Sequence, residues 1–398
     1  MTYLSDRILH LQESATIVMA KKSRELAAQG VDVINLSFGE PDFQTPQYIK
    51  EAAKQALDEG YTFYTPVPGY LDLRQAICDK LLRDNNLTYQ PTDIVVSTGA
   101  KQALANAVLA LVNPGDEVII FSPYWVSYAS LVELAQGVAV PVMGRLENDY
   151  KVTAAELEAA LTPRTKLVMY SSPCNPTGAV FSRAELGAIA EVLARHPGVF
   201  AVADEIYEYI NFTGEHTSLA QFAAVRNQVV TINGFSKGYA MTGWRLGYLA
   251  AHPTIAAACD KLQGQFTSGT CSIAQRAGLA ALQGGRTSAD EMVAAYRRRR
   301  DLVLALTQDI PGLITPTPEG AFYVFPNVAA LFGRTAPDGT VIANSADLAL
   351  YLLNDAHVAA VGGDAFGAPD CMRFSTAAAD EKLAEAFRRI KVSLAKLG

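Results

Sequence analysis

The chain has 398 residues, 50% hydrophobic and 18% charged, with a formal net charge of −7 from 40 acidic and 33 basic residues. That length exceeds what one core usually organises, which predicts two domains, and the apolar content excludes a disordered chain. The acidic balance argues against a nucleic-acid binder, and no run of about 18 apolar residues exists to span a membrane.

The opening residues, MTYLSDRILHLQES, lack a basic stretch followed by an apolar run and do not read as a secretory signal. A helix is expected over Ser14–Gln29, ended by Gly30 as its C-cap. It reads as separate from the main sheet and packed with the C-terminal part. Pro46 after Thr45 marks another helix start. Short apolar strands are expected at Ile94–Ser97, Glu117–Phe121, Lys166–Ser171, Val199–Asp204, Val229–Asn233 and Leu246–Ala250, with helical patterns between many of them. Thr153–Glu156 and Ser182–Glu185 both read as capping boxes. This alternation predicts βαβ units and a mostly parallel sheet covered on both faces, with ligands at the carboxyl ends of its strands.

From about Gly285 the texture changes. A long helix is expected from Ser288 to Asp309, and its four arginines, Arg297 to Arg300, cover every face of one turn. They read as a solvated surface. Strands at Ala321–Phe325, Val358–Val361 and Cys371–Phe374, with helices at Ser345–Asn354 and Asp380–Leu397, predict a smaller α+β domain. The expected division is an arm over 1–45, a large domain over 46–290 and a small domain over 291–398.

Cys78, Cys174, Cys259, Cys271 and Cys371 are odd in number, far apart and never in a CxxC pair. They predict neither a disulfide framework nor a structural zinc site, and they fit a reducing, cytoplasmic setting. The five histidines form no HExxH motif and no close pair, so no metal is expected. The glycine-rich signatures of dinucleotide and nucleoside-triphosphate sites are absent too.

The most informative stretch runs from Asn233 to Gly247, NGFSKGYAMTGWRLG. A strand ends, Lys237 stands among small residues, and Arg245 follows eight residues on. Alone, Lys237 reads as a surface lysine. Its small neighbours let a ligand approach the backbone closely, and Ser236 with the Arg245 fork suits a phosphate. A lysine beside a phosphate site suggests pyridoxal 5′-phosphate (PLP), an aldehyde that carries its own phosphate.

That cofactor makes further demands. Its ring nitrogen needs a carboxylate. Asp204 ends an apolar strand, although an acid there also suits a turn or a cap. Tyr207 could hydrogen-bond the ring's phenolic oxygen. The phosphate needs more than one positive charge, and Gly99, Ala100 and Lys101 open a helix whose first amides are free. An ordinary strand–turn–helix junction has the same pattern. Trp125, in Ser122-Pro-Tyr-Trp125, offers an aromatic face, or a plain core residue. Asn175, between Pro173 and Pro176, reads as an aimed amide or as a purely structural turn, with a cis X–Pro bond compatible with either. Arg373 lies inside an apolar strand, where burial is costly without a partner. It meets either a protein carboxylate or a substrate carboxylate.

Together these segments resemble the class I, fold type I, PLP-dependent aminotransferases over nearly the whole chain, from Leu36–Asp42 through Tyr64–Gly69 to Arg373. Ser14–Thr16, Gly99–Gln102 and Ser122–Trp125 most resemble bacterial aspartate aminotransferases. The resemblance implies an α/β fold: a large PLP-binding domain with a mostly parallel central sheet covered by helices, plus a smaller α+β domain. It implies Lys237 as the Schiff-base lysine, Asp204 on the ring nitrogen, Tyr207 on the phenolic oxygen and Trp125 stacked on the ring. Ser236, Arg245 and the amides of Ala100 and Lys101 would hold the phosphate. Asn175 would touch both cofactor and substrate. Gly39 and Arg373 would bind the substrate's α-carboxylate. Tyr64 would reach the phosphate of a neighbouring subunit, which implies a homodimer with shared sites.

The implied activity is ping-pong transfer of an amino group between an L-amino acid, aspartate or glutamate, and a 2-oxo acid, oxaloacetate or 2-oxoglutarate. Lys101 with Thr16 or Ser14 is the candidate for a distal carboxylate. Aromatic, prephenate-like or alanine substrates, a lyase of the same fold, and a non-catalytic PLP sensor are the alternatives. A transcription-regulator form would need an added DNA-binding domain, and the pattern already begins by about Ser14. Two positions depart from the family: Cys174 stands where Asn is common, and Val361-Gly-Gly363 replaces Val-Pro-Gly.

Overall fold

The protein is described here by a computed structural model covering residues 3–11, 13 and 15–398. Twelve strands form three sheets. In chain order they are β1 (Ile34–Asn35), β2 (Ile94–Ser97), β3 (Glu117–Ser122), β4 (Val138–Met143), β5 (Thr165–Ser171) and β6 (Phe200–Asp204). Then come β7 (Val229–Gly234), β8 (Gly247–Ala250), β9 (Tyr323–Val324), β10 (Val358–Ala359), β11 (Val361–Gly362) and β12 (Met372–Ser375).

The main sheet has seven strands in the order β2-β8-β7-β6-β5-β3-β4. Only β8 runs antiparallel to its neighbours. Both faces are buried, which is why β2, β3 and β7 read as continuous apolar runs rather than alternating ones. Ile119, Val168 and Ala201 pack on one face, and Val118, Leu167 and Val202 on the other. Both expected capping boxes form: Thr153 and Ser182 accept from Glu156 and Glu185 amides.

A second core joins the helices Ala15–Ala28, Thr287–Gln308 and Asp380–Leu394 with β9, β10 and β12. β11, β12 and β9 form an antiparallel sheet, and β1 pairs in parallel with β10. The N-terminal helix contributes Met19 to this core, and Gly30 beyond it has φ +88°. None of the described helices is long and apolar enough to cross a membrane.

Several expectations need correction. β4 adds a strand to those expected: it carries Pro141, which a sheet tolerates here because β4 is the edge strand, where a missing N–H costs no ladder bond. The expected strand Ala321–Phe325 shrinks to Tyr323–Val324, because Ala321 turns at φ +56° to hydrogen-bond Ile210. The expected Val358–Val361 strand splits into β10 and β11, which join different sheets. The four arginines are a solvated surface only in part: Arg297 and Arg298 are exposed. Arg299 is buried and holds Asp42 bidentately, while Arg297 and Arg300 donate to the carbonyls of Phe212 and Pro318. Gly363 has a packing reason: a Cβ there would lie 2.0 Å from the Ala368 carbonyl.

Candidate functional site

The carboxyl ends of β5, β6 and β7 open into one cavity of about 390 Å³. Its wall contains Thr16, Gly39, Ala100, Lys101, Trp125, Asn175, Asp204, Tyr207, Ser236, Lys237, Arg245 and Arg373. Residues spread over most of the chain thus converge where ligands gather in such sheets. Gly99 stands directly behind this wall, since a Cβ on it would lie 2.6 Å from Arg245 Nη2. Tyr64 is not brought to the cavity; it is 98% exposed. Ser14 lies outside the described residues.

Lys237 follows β7 in a tight turn. Its amine donates to the Gly39 carbonyl, and no carboxylate accepts from it among the described residues. The side chain keeps some surface towards the cavity, while protein surrounds the amine. Burial pushes its pKa down to about 8, with Glu40 opposing the shift.

Asp204 ends β6 and is 4% exposed. Burial pushes its pKa up to about 6. The Tyr128 hydroxyl donates to Oδ2 at 2.7 Å and the Ile206 amide to Oδ1 at 3.2 Å, and both oppose that shift. A buried acid and a buried amine with opposed shifts, in one cleft, mark a functional site.

Arg373 is 1% exposed on β12. Nη1 donates to Asn175 Oδ1 at 2.9 Å, Nη2 donates to the Ser37 carbonyl at 2.6 Å, and Nε has no partner. The guanidinium stacks on Tyr323 and Phe366, with centroids 4.6 and 4.9 Å away. Among the described residues no protein carboxylate answers this charge. A buried cation so placed suits an incoming anion.

The residues fit a phosphate-bearing ring. The helix Ala100–Leu111 starts at Gly99, whose φ of +81° directs the chain into it, and no side chain caps that end. Its first amides are therefore free for an anion. Arg245, at φ +52°, spends Nη1 on the Thr242 carbonyl and keeps its other donors. Ser236 is buried beside Lys237. Trp125 lies under the Lys101 amine, 4.8 Å from its ring centroid. Lys101 is pushed down by burial and then by Arg245. The Asn175 loop contains two cis bonds, Ser172–Pro173 and Asn175–Pro176, with a third at Ser122–Pro123. Cys174 points away, its thiol against the Pro123 carbonyl at 3.6 Å.

Sequence reasoning missed Tyr128, Tyr323 and Glu40. Tyr323 shares a 2.7 Å hydrogen bond with Tyr207 and blocks any side chain at position 39. Glu40 receives the Thr242 hydroxyl at 3.1 Å. Tyr128 follows Trp125 by three residues at the start of the helix Ser127–Leu134, and no motif marks it in the sequence.

A family model for aminotransferase class I and II matches residues 31–390. The chain is 47% identical to an aspartate/prephenate aminotransferase of Cereibacter sphaeroides, over 100% of both chains. It is 43% identical to an aspartate aminotransferase of Pinus pinaster, covering 98% of this chain and 80% of that one. The crystal structure of the Rhizobium meliloti aspartate aminotransferase superposes with a TM-score of 0.96 at 40% identity, covering 100% of both chains. The Thermus thermophilus aspartate aminotransferase with maleate gives 0.92 at 39% identity, covering 99% of this chain and 100% of that one.

Proposed function

The chain belongs to the class I and II aminotransferases, and on that premise we propose that it is a PLP-dependent enzyme exchanging the amino group of aspartate or glutamate for the oxo group of a 2-oxo acid. The observation that carries this reading is the joint presence of Lys237, Asp204 and acid-free Arg373 around one cavity. PLP, when bound, supplies an aldehyde that holds the amino group and a ring that takes up the electron pair left at Cα.

The chain's own residues do the rest. Lys237 holds the aldehyde and, once freed, carries a proton at Nζ. Its depressed pKa leaves part of it as free amine near neutral pH, as a general base requires. Asp204, as a carboxylate, keeps a proton on the ring nitrogen. Tyr207 bonds the phenolic oxygen. Trp125 covers one ring face. Gly99, the amides of Ala100 and Lys101, Ser236 and Arg245 cradle the phosphate. Arg373, Asn175 and Gly39 fix the substrate's α-carboxylate.

Aspartate-type specificity is supported by the relatives' names and by Lys101, a cation at the cavity wall beside Thr16. Ile17 and Phe38 on the same wall favour a second substrate with a ring and two carboxylates, the prephenate of the Cereibacter relative's name. The homodimer reading is supported by Tyr64 and Phe63, 98% and 83% exposed; Tyr64 would reach the partner subunit's phosphate. Five unpaired cysteines support a cytoplasmic setting. The proposed division remains an arm over 1–45, a large domain over 46–290 and a small one over 291–398.

Lys101→Ala tests the specificity. The proposal expects aspartate turnover to fall much further than phenylalanine turnover. Equal losses on both contradict a distal-carboxylate role.

A further inference from the structure

Tyr128 has no part in the roles assigned above, yet it is 1% exposed and its hydroxyl ends on the acid beneath the cavity. We propose that Tyr128 is a positioning residue that holds Asp204 aimed into the cavity as a carboxylate. This rests on the reading that Asp204 pairs with the cofactor's ring nitrogen.

The geometry leaves Tyr128 little freedom. It sits on the helix Ser127–Leu134, with its ring edge-on to Trp125 at 5.8 Å. Trp125, the ring-covering residue, stands two residues before this helix, and the helix itself carries the partner of the ring-nitrogen acid. The bond from its hydroxyl to Asp204 Oδ2 is 2.7 Å. Ser171 lies opposite Asp204 in the sheet register, near Tyr128, and its buried hydroxyl has no hydrogen-bond partner among the described residues.

The ionisable groups facing Asp204 are Tyr128 from its helix, Cys174 from the cis-proline loop, Lys237 from the β7 turn, and Glu205 and Tyr207 from its own segment. Burial and Glu205 favour the neutral acid; Tyr128, the Ile206 amide and Lys237 favour the carboxylate. Removing the Tyr128 hydroxyl therefore raises the pKa of Asp204. The working form is then lost at higher pH than in the parent protein.

The test measures the PLP dissociation constant of the holoenzyme by dialysis, between about pH 5 and pH 8, which spans the Asp204 titration near 6 and its expected upward shift. It also follows the acid limb of kcat. Tyr128→Phe is expected to move that limb up by about one pH unit, as loss of one charge-assisted hydrogen bond does. PLP affinity should fall about tenfold at the acid end and less at the alkaline end. On an Asp204→Asn background, Tyr128→Phe should cost nothing further, because no carboxylate is left to hold. An unmoved pH profile in Tyr128→Phe, or losses that add in the double variant, overturn the proposal. If the single variant does not fold, the comparison within the Asp204→Asn background decides alone. Parent-like affinity and turnover in Asp204→Asn would instead sink the assignment of Asp204 itself.

Discussion

Two lysines, one buried in the fold and one at the cavity wall, behave in opposite ways. Lys80 is 3% exposed, and its amine meets both carboxylate oxygens of Glu208 and, at 2.8 Å, Asn85 Oδ1. Glu208 is further held by Asn233 Nδ2 at 2.6 Å. Among the described residues, the Lys237 amine has one hydrogen-bond acceptor, the Gly39 carbonyl. Two buried arginines repeat the contrast. Arg299 is bidentate to Asp42 at 2.8 and 2.9 Å and reaches Asp380, whereas Arg373 meets an amide, a carbonyl and aromatic faces. The lesson is physical. A buried cation answered by protein carboxylates holds the fold together. One left without them is held ready for a ligand, and the fold bears the cost.

This contrast can be broken at four points. The largest effect belongs to Lys237→Ala, which removes both the attachment point and the base. Turnover with aspartate should fall by about 10⁴-fold or more, and a retained rate breaks the assignment. Lys80→Met should instead act on stability. It strands Glu208 as an uncompensated buried charge, at a cost of about 3–5 kcal/mol in chemical denaturation. A loss below about 1 kcal/mol would mean that the network is not what holds this end of the sheet.

Lys237→Met should have the opposite sign in the cofactor-free protein. The folded-state pKa lies near 8 and the ordinary value is 10.5. Between these the unfolded chain binds the extra proton, so parent stability rises with pH across that window. Below it the parent bears the full cost of a buried ammonium. The variant should therefore be more stable by about 2–3 kcal/mol below pH 8. That gap should narrow as pH approaches 10.5. Melting curves at several pH values check the slope. The smallest effect is for Arg373→Lys, which loses the planar fork. It should lower kcat/KM by about 10- to 100-fold through lost bidentate contact, measured by steady-state kinetics with aspartate.

The sequence was most legible where chemistry imposed a local demand. Lys237 among small residues, an acid closing the Val-Ala-Asp204 strand and an arginine inside Met372–Ser375 could each be read from a few neighbours. The capping boxes were equally local. Lys80 and Arg299 were not legible, because what defines them lies far along the chain: Glu208 is 128 residues from Lys80, and Asp42 is 257 from Arg299. Lys80 reads as one more polar position on a helix, and Arg299 as one of four similar arginines. Tyr128 failed for the same reason, since Asp204 is 76 residues away. β1 and β10, with two residues each, owe their existence to each other rather than to any periodicity.

The most direct test of the account is a single turnover without an acceptor. PLP-loaded protein is mixed with aspartate alone, and oxaloacetate, ammonia and the cofactor spectrum are followed together. The account predicts oxaloacetate in a stoichiometry of one per bound cofactor, an aminated cofactor, and no ammonia. Continued release of ammonia without an added 2-oxo acid, or no oxo acid from either aspartate or glutamate, would contradict it.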